Sequence, residues 1–217
     1  MRDDYEQLIH LLKKNNQIHG LYEGVGIELN NGDLPFIKII NRNIAVSEIK
    51  VDDCREEANL WIDIFPLDGV PSKNTKRFFR SLFIYRKLIA HKLELTHHWQ
   101  INRSPLNKVY IWPMHFLLKA LSLKRLVQNF VSVCSSKHHT DTDYICNCVW
   151  GIGQREAFPK KLFEETIDCT FEGHSFKAMK GTEQWLKIRY GDYMKLPDEK
   201  DRINHGLRAW KVDRDEK

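Results

Sequence analysis

An aspartate inside a short apolar run is the first residue of this sequence that could perform chemistry. Asp63 lies between Trp61 and Phe65 in a run that predicts a strand over residues 60–65, followed by a proline-containing turn. Since side chains alternate between the two faces of a strand, these three residues are expected on one face. A carboxylate on a half-buried apolar face costs free energy unless it is paired, hydrogen-bonded or bound to a metal. Asp63 is therefore a candidate for chemistry, and a structural aspartate held by backbone N–H groups or an arginine is the alternative.

A second set of possible ligands lies in the last third of the chain. His138 and His139 shortly precede Cys146 and Cys148, and histidine with cysteine is a zinc-binding combination. The thiols lack the usual C-x₂-C spacing, and small buried thiols are ordinary core residues, which favours a packing role. The Gly-x-Gly sequence at residues 151–153 is weak evidence for phosphate binding, because the rest of that fingerprint is missing.

The first third of the chain predicts a helix followed by strands that would position Asp63. The helix is expected over residues 5–14, with Asp3 or Asp4 as its cap. A hairpin is expected around Asn31-Gly32, because both residues tolerate the positive φ of a tight turn. The predicted strands cover residues 27–30, 34–40, 44–51 and 60–65.

The middle third predicts two amphipathic helices, over residues 75–95 and 106–133, the second interrupted at Pro113. Both are basic, and residues 106–133 contain no acidic side chain. Helices of this kind can lie on an anionic membrane surface. The preferred interpretation is that they pack on the sheet and expose their lysines and arginines to solvent.

The last third predicts a strand over residues 143–150 and a helix that ends at Gly191. Tyr190, Tyr193, Met194 and Leu196 around that helix end are expected to serve mainly in packing.

Composition is typical of a folded globular protein, with 42% hydrophobic and 29% charged residues among 217. The formal net charge of +5 favours anionic partners such as phosphates, nucleotides or acidic lipid headgroups, and does not require nucleic acid. The first residues lack a signal peptide, and the cysteine count of five is odd. These features predict a cytoplasmic protein with reduced thiols.

Several short motifs, taken in order, resemble those of the LicD-type phosphocholine transferases. The two more specific ones are the Ile-Asp-Ile-Phe-Pro strand around Asp63 and the Tyr-Gly-Asp-Tyr-Met segment that begins at Tyr190. The full set is Arg2-x-Asp4-Tyr5-Glu6, Trp61-Ile62-Asp63-Ile64-Phe65-Pro66-Leu67-Asp68, Phe158-Pro159, Phe171-Glu172-Gly173, Tyr190-Gly191-Asp192-Tyr193-Met194-x-Leu196-Pro197 and then His205.

The resemblance implies a nucleotidyltransferase-like fold. The order of the predicted elements indicates an α+β protein with a mixed sheet flanked by helices, in one domain over residues 1–217 with a helical insertion at about 75–133. The resemblance also implies transfer of a phospho-alcohol, typically phosphocholine from CDP-choline, to a sugar of a surface glycan such as lipopolysaccharide or teichoic acid. Asp63 is the expected catalytic residue and a ligand of Mg²⁺ or Mn²⁺, and Asp68 is the expected substrate-binding residue. Because Asp68 lies in a turn, its side chain is expected to bond the backbone before Gly69.

The sequence departs from the family pattern at its start. Family members carry a glycine-rich turn and an Asp-rich metal motif upstream of the Arg-x-Asp-Tyr-Glu motif, with which this sequence begins. Asp3 and Asp4 belong to the later motif and are not expected to replace those ligands. One carboxylate is a poor Mg²⁺ site, so the chain as given is expected to be N-terminally incomplete and to show little transfer. The alternatives are a catalytically inactive LicD-like binding module and a basic protein of the membrane surface, at the inner face.

Overall fold

The computed structural model describes residues 1–49, 55–97, 118–151, 153–202 and 207–212 of the chain. Its helices and sheets confirm the α+β class. The helices are α1 (Arg2–Lys14), α2 (Thr75–His97), α3 (Leu123–Cys134) and α4 (Thr182–Tyr190). The strands are β1 (Gln17–Ile18), β2 (Tyr22–Val25), β3 (Ile37–Ile49), β4 (Arg55–Ile64), β5 (Asp68–Gly69), β6 (Tyr144–Cys146), β7 (Phe158–Pro159), β8 (Thr166–Phe171), β9 (His174–Met179) and β10 (Arg208–Lys211).

The long strand β3 organises the largest sheet. One of its edges pairs with β2 over its first half and with β10 over its second half, and the other edge pairs with β4. An irregularity between Asn41 and Ala45 shifts the register of the β3–β4 ladder. In the described ranges β4 has no other strand beside it, so Asp63 lies on an edge strand.

The strand pairings depart from the prediction in one respect. Every pairing among the described residues is antiparallel, whereas a mixed sheet was predicted. The small sheet β5–β6–β7 and the hairpin β8–β9 follow the same rule. Short connections between successive strands favour this outcome, because parallel pairs need a long crossover.

Two apolar clusters hold these elements together. The first cluster joins α2 to α3, because both helices carry apolar residues with a period of 3.6 along one side. Its most buried side chains include Leu82, Val127 and Phe130, each 0% exposed. The second joins α1 to β3 through Tyr5, Ile9, Leu12 and Ile37. The predicted helices 5–14 and 75–95 are thereby confirmed. Of the second predicted helical stretch, 106–133, residues 106–117 lie outside the described ranges, and α3 covers its last part.

The predicted hairpin around Asn31-Gly32 is wrong. Residues Ile27–Leu29 form a single 3₁₀ turn instead of a strand. The Asn31 side chain accepts a hydrogen bond from Gly26 N at 3.0 Å and donates one to Gly24 O at 2.8 Å. It therefore stabilises a local loop, a use of asparagine that competes with strand pairing.

Two predictions for the last third are corrected as well. The strand predicted over residues 143–150 stops at Cys146, because Asn147 caps a turn by accepting from Trp150 N at 3.1 Å. Helix α4 does end at Gly191, with φ of 69°, as predicted. Beyond it, Met194 and Leu196 are 80% and 76% exposed, so their predicted packing role is wrong in the described structure.

Within the described ranges, no helix combines the length and the apolar character that crossing a membrane requires.

Replacing Phe130 by Ala tests the packing of α3 on α2. Phe130 is completely buried, so its loss should lower the free energy of unfolding by about 3–5 kcal/mol. Phe83→Ala is the matched control, because that ring is 57% exposed and its removal should cost less than about 0.5 kcal/mol. Urea unfolding followed by circular dichroism measures both, and equal losses would contradict the described packing.

Candidate functional site

A buried ion pair lies at the centre of the candidate site. Arg2 donates from Nε to Asp68 Oδ1 and from Nη2 to Asp68 Oδ2, each at 2.7 Å. The two residues are only 6% and 1% exposed. Such a two-pronged pair satisfies both carboxylate oxygens and fixes the orientation of the guanidinium plane. The first turn of α1 is thereby fastened to β5.

Each of the two charges compensates the free-energy cost of burying the other. Burial by itself acts to lower the pKa of Arg2, but the hydrogen bonds and the charge of Asp68 outweigh it, and the net effect raises the pKa of Arg2. The guanidinium is therefore charged at any physiological pH. Asp68 was expected to bond the backbone of its turn, whereas its side-chain oxygens accept from Arg2.

The neighbourhood of this pair is tightly built. Gly69 N donates to Lys137 O at 3.3 Å, and a Cβ at Gly69 would lie 2.7 Å from His138 O. Only glycine permits that close approach of two backbone segments.

A second buried polar contact involves Tyr5, also on α1, which donates its hydroxyl to Glu28 Oε2 at 3.0 Å. Burial raises the pKa of both the Tyr5 phenol and the Glu28 carboxyl.

Asp63 lies in a different environment, on the edge strand β4. Its side chain is 35% exposed, and Lys38, directly opposite on β3, places Nζ 3.7 Å from Asp63 Oδ1. The same ammonium group lies 4.2 Å from the centre of the Trp61 ring. Trp61, Lys38 and Asp63 thus form one accessible group, which we call the edge triad. It joins an aromatic face, a cation and a carboxylate.

The described residues test the expected magnesium site only in part. Asp63 belongs to no group of three or more close metal-ligating side chains in the described ranges. Asp68 directs both oxygens to Arg2. Because Mg²⁺ prefers several hard oxygen ligands, these two carboxylates do not form a magnesium site by themselves. The assignments of Asp63 as catalytic residue and metal ligand, and of Asp68 as substrate-binding residue, stay predictions.

The possible zinc set of cysteines and histidines does not assemble. Cys146 and Cys148 are buried beside Cys134, and a hydrogen bond between the first two raises the pKa of Cys148. Protonated, buried thiols are poor metal ligands. His138 contacts Asp3 instead, through Nε2 and Oδ1 at 2.9 Å.

Sequence reasoning did not anticipate three partners in this region: Arg2 for Asp68, Lys38 for Asp63 and Asp3 for His138. Each pair is distant in sequence, and residue types alone do not reveal such contacts. One signal was available for the first pair, since Arg2 and Asp68 both belong to the motifs that carry the family resemblance.

The chain is thus an α+β protein whose largest sheet presents an accessible carboxylate on an edge strand. In sequence it is similar to the lipopolysaccharide cholinephosphotransferase LicD of Haemophilus influenzae, with 29% identity over 174 residues. The match covers 73% of this chain and 62% of that protein, so the chain spans less than two thirds of the curated relative that it matches. This similarity supports the predicted relationship to the LicD-type family. No family model matches the chain, and no solved structure matches it.

Replacing Asp68 by Asn tests the buried pair. The change leaves the Arg2 guanidinium buried without a counter-charge, which should lower the free energy of unfolding by about 3–5 kcal/mol. The matched control is Asp168→Asn, because Asp168 also lies 2.7 Å from a cation, Lys177, but is 70% exposed in its side chain. The control should change stability by less than about 1 kcal/mol. Urea unfolding measures both, and a mild Asp68→Asn variant would show that the pair is not needed for the fold.

Proposed function

We propose that this protein is a LicD-like transferase that moves phosphocholine from CDP-choline to a sugar hydroxyl of a cell-surface glycan, of the lipopolysaccharide or teichoic acid type. The observation that carries the proposal is the similarity to LicD over 73% of the chain. The edge triad supports it, because it presents an accessible carboxylate within the Ile-Asp-Ile-Phe-Pro strand.

The proposed reaction is a displacement at phosphorus. The acceptor hydroxyl oxygen attacks the phosphorus of the phosphocholine group, and the bond from that phosphorus to the bridging oxygen of CMP breaks. CMP leaves with the bonding electron pair, and the hydroxyl proton passes to Asp63 as general base. The partial exposure of Asp63 on an edge strand suits this role, since a sugar hydroxyl must come within hydrogen-bond distance of it.

The edge triad also offers chemistry that suits the donor. A quaternary ammonium group binds well over an aromatic face, and Trp61 already holds the Lys38 ammonium at 4.2 Å. We assign Trp61 to the choline headgroup. Lys38, displaced from the ring, is then free to approach a donor phosphate.

A requirement for Mg²⁺ or Mn²⁺ belongs to the same proposal. Such an ion would neutralise charge on the phosphates when bound. Among the described residues, Asp63 is the one ligand that we assign to this ion, so the metal requirement rests on the family resemblance.

Replacing Asp63 by Asn tests the proposed base. Asn keeps the size of the side chain but cannot accept the proton, so release of CMP from CDP-choline should fall by about 10²–10⁴-fold. The assay uses the full encoded protein with a glycan acceptor, with Mg²⁺, with Mn²⁺ and with EDTA. Asp168→Asn is the control and should behave like the parent. If Asp63→Asn retained full turnover, Asp63 would be removed from the site.

Binding measurements separate the enzyme from the inactive-module alternative. Titration calorimetry should show that the protein binds CDP-choline more tightly than CDP. In the Trp61→Leu variant the two affinities should be equal. Tight CDP-choline binding with no CMP release under any of these conditions would favour a binding module over a transferase.

A second candidate function, docking on an anionic membrane surface, is favoured by one face of α2. This face, which we call the α2 basic face, exposes two apolar side chains among cations, and residues 76–87 that contain it include no acidic residue. Phe83 and Ile84 are 57% and 47% exposed, and Lys87 Nζ lies 5.6 Å from the Phe83 ring centre. The face consists of Lys76, Arg77, Arg80, Phe83, Ile84 and Lys87. We propose that it binds the headgroup layer of acidic lipids and so places the site near a membrane-linked acceptor.

Co-sedimentation with phosphatidylglycerol vesicles tests the α2 basic face. Arg80→Ala should weaken binding by about fivefold, because one cation near an anionic surface contributes about 1 kcal/mol. Phe83→Ala should weaken vesicle binding further, because the aromatic ring would no longer insert into the lipid layer. Lys187→Ala, an exposed lysine on α4, is the control and should bind like the parent. Equal binding by all variants, or binding that does not fall with added salt, would exclude this face.

A further inference from the structure

Three side chains from distant parts of the chain converge beside the Arg2–Asp68 pair. Asp3, His138 and His139 each offer one potential ligand atom, and these atoms lie within 4.8 Å of one another. Asp3 extends from the first turn of α1, and the histidines precede and begin the 3₁₀ turn His139–Asp141. No other such group occurs among the described residues.

The contacts around His138 resemble the support that metal-binding histidines usually have. Its Nε2 faces Asp3 Oδ1 at 2.9 Å, and its Nδ1 lies 2.7 Å from the Thr140 hydroxyl. That hydroxyl in turn donates to Asp141 Oδ1 at 3.2 Å. The backbone N–H of Thr140 also donates to Nδ1, at 3.4 Å, so the proton of the neutral ring lies on Nε2 and points to Asp3. A cation bound between Nε2 and Asp3 would take the place of that proton, and Nδ1 could then donate to the Thr140 hydroxyl.

His139 provides an independent observation. Its ring lies against that of His138, with centres 4.4 Å apart, and its Nδ1 is buried with no hydrogen-bond partner. A buried polar atom without a partner costs free energy, so structures usually supply one. A cation bound at Nδ1 itself would compensate that cost.

We propose that Asp3, His138 and His139 form a binding site for a divalent transition metal, with Zn²⁺ as the preferred ion. Two imidazoles and one carboxylate suit zinc, whereas Mg²⁺ prefers oxygen ligands alone. Ligand atoms on a tetrahedral zinc ion are about 3.3 Å apart, a separation that small side-chain movements provide here. The site is separate from the magnesium expected at Asp63.

The position of the site gives the ion a structural role. Asp3 is adjacent to Arg2, and Gly69, adjacent to Asp68, bonds the residue before His138 through Lys137 O. The ion therefore joins the start of α1 to the segment that packs on β5. Asp3 and His138 are exposed, so solvent can reach the site and supply a fourth ligand such as water. Asp4 points elsewhere, toward the amino terminus.

Zinc titration of the metal-free full chain tests this site. After EDTA treatment and dialysis, the chain should bind one equivalent of Zn²⁺, and its melting temperature should rise with Zn²⁺ concentration. Co²⁺ should give the intense visible bands of a tetrahedral site without a thiolate charge-transfer band, since no cysteine is involved.

Substitutions then assign the ligands. His138→Gln, His139→Gln and Asp3→Asn should each remove the zinc-dependent rise, and Thr140→Val should weaken binding by about tenfold or more through the supporting hydrogen bond. His174→Gln, an exposed histidine of the β9 hairpin, is the control and should bind like the parent. Circular dichroism without metal verifies that each variant folds. Failure of the parent chain to bind zinc, a thiolate band with Co²⁺, or unchanged binding in the folded ligand variants would overturn the proposal. None of these readouts depends on transferase activity.

Discussion

The buried pair of Arg2 and Asp68 is the constraint on which the rest of this region depends. Two charges that are 6% and 1% exposed can remain in an apolar setting only because each neutralises the other at 2.7 Å. The pair fixes helix α1 against β5, and β5 holds the loop that carries His138 through the Gly69 backbone contact. The apolar clusters supply most of the stability, but the pair determines how these segments are placed against one another.

Asp63 and Asp68 show how one short run can place the same residue type in two opposite environments. Asp63 is on an edge strand, partly exposed, and shares a loosely held lysine at 3.7 Å. Asp68 follows in the next strand, is fully buried and is held at both oxygens. A reacting carboxylate must be accessible to its substrate. A carboxylate that holds a helix in place through a charged pair is more effective when water is excluded from the pair. This difference in exposure is the reason that the proposed transferase mechanism assigns the reacting group to Asp63 and not to Asp68.

Local patterns predicted much of the fold. The helical period over α1 and α2 is uninterrupted, so both helices could be predicted from sequence, and Gly191 marked the end of α4. The predictions failed where a side chain bonds nearby backbone: Asn31 and Asn147 stabilise a loop and a turn in segments that alternate like strands. For the site, the apolar strand pattern indicated Asp63, and the resemblance supported it and added Asp68. Their partners Lys38 and Arg2 depend on strand register and helix docking, which short-range patterns do not specify.

Strand β3 has a further consequence for the behaviour of the chain. Among the described residues, its second half has β4 on one side and the four-residue strand β10 alone on the other, paired through residues 44–47 of β3. If β10 detached, a row of backbone N–H and C=O groups would be left without partners beside apolar side chains such as Val46. Such an open ladder recruits strands from neighbouring molecules. The short segment Arg208–Lys211 covers this part of the β3 edge, so its detachment is expected to favour self-association through that edge.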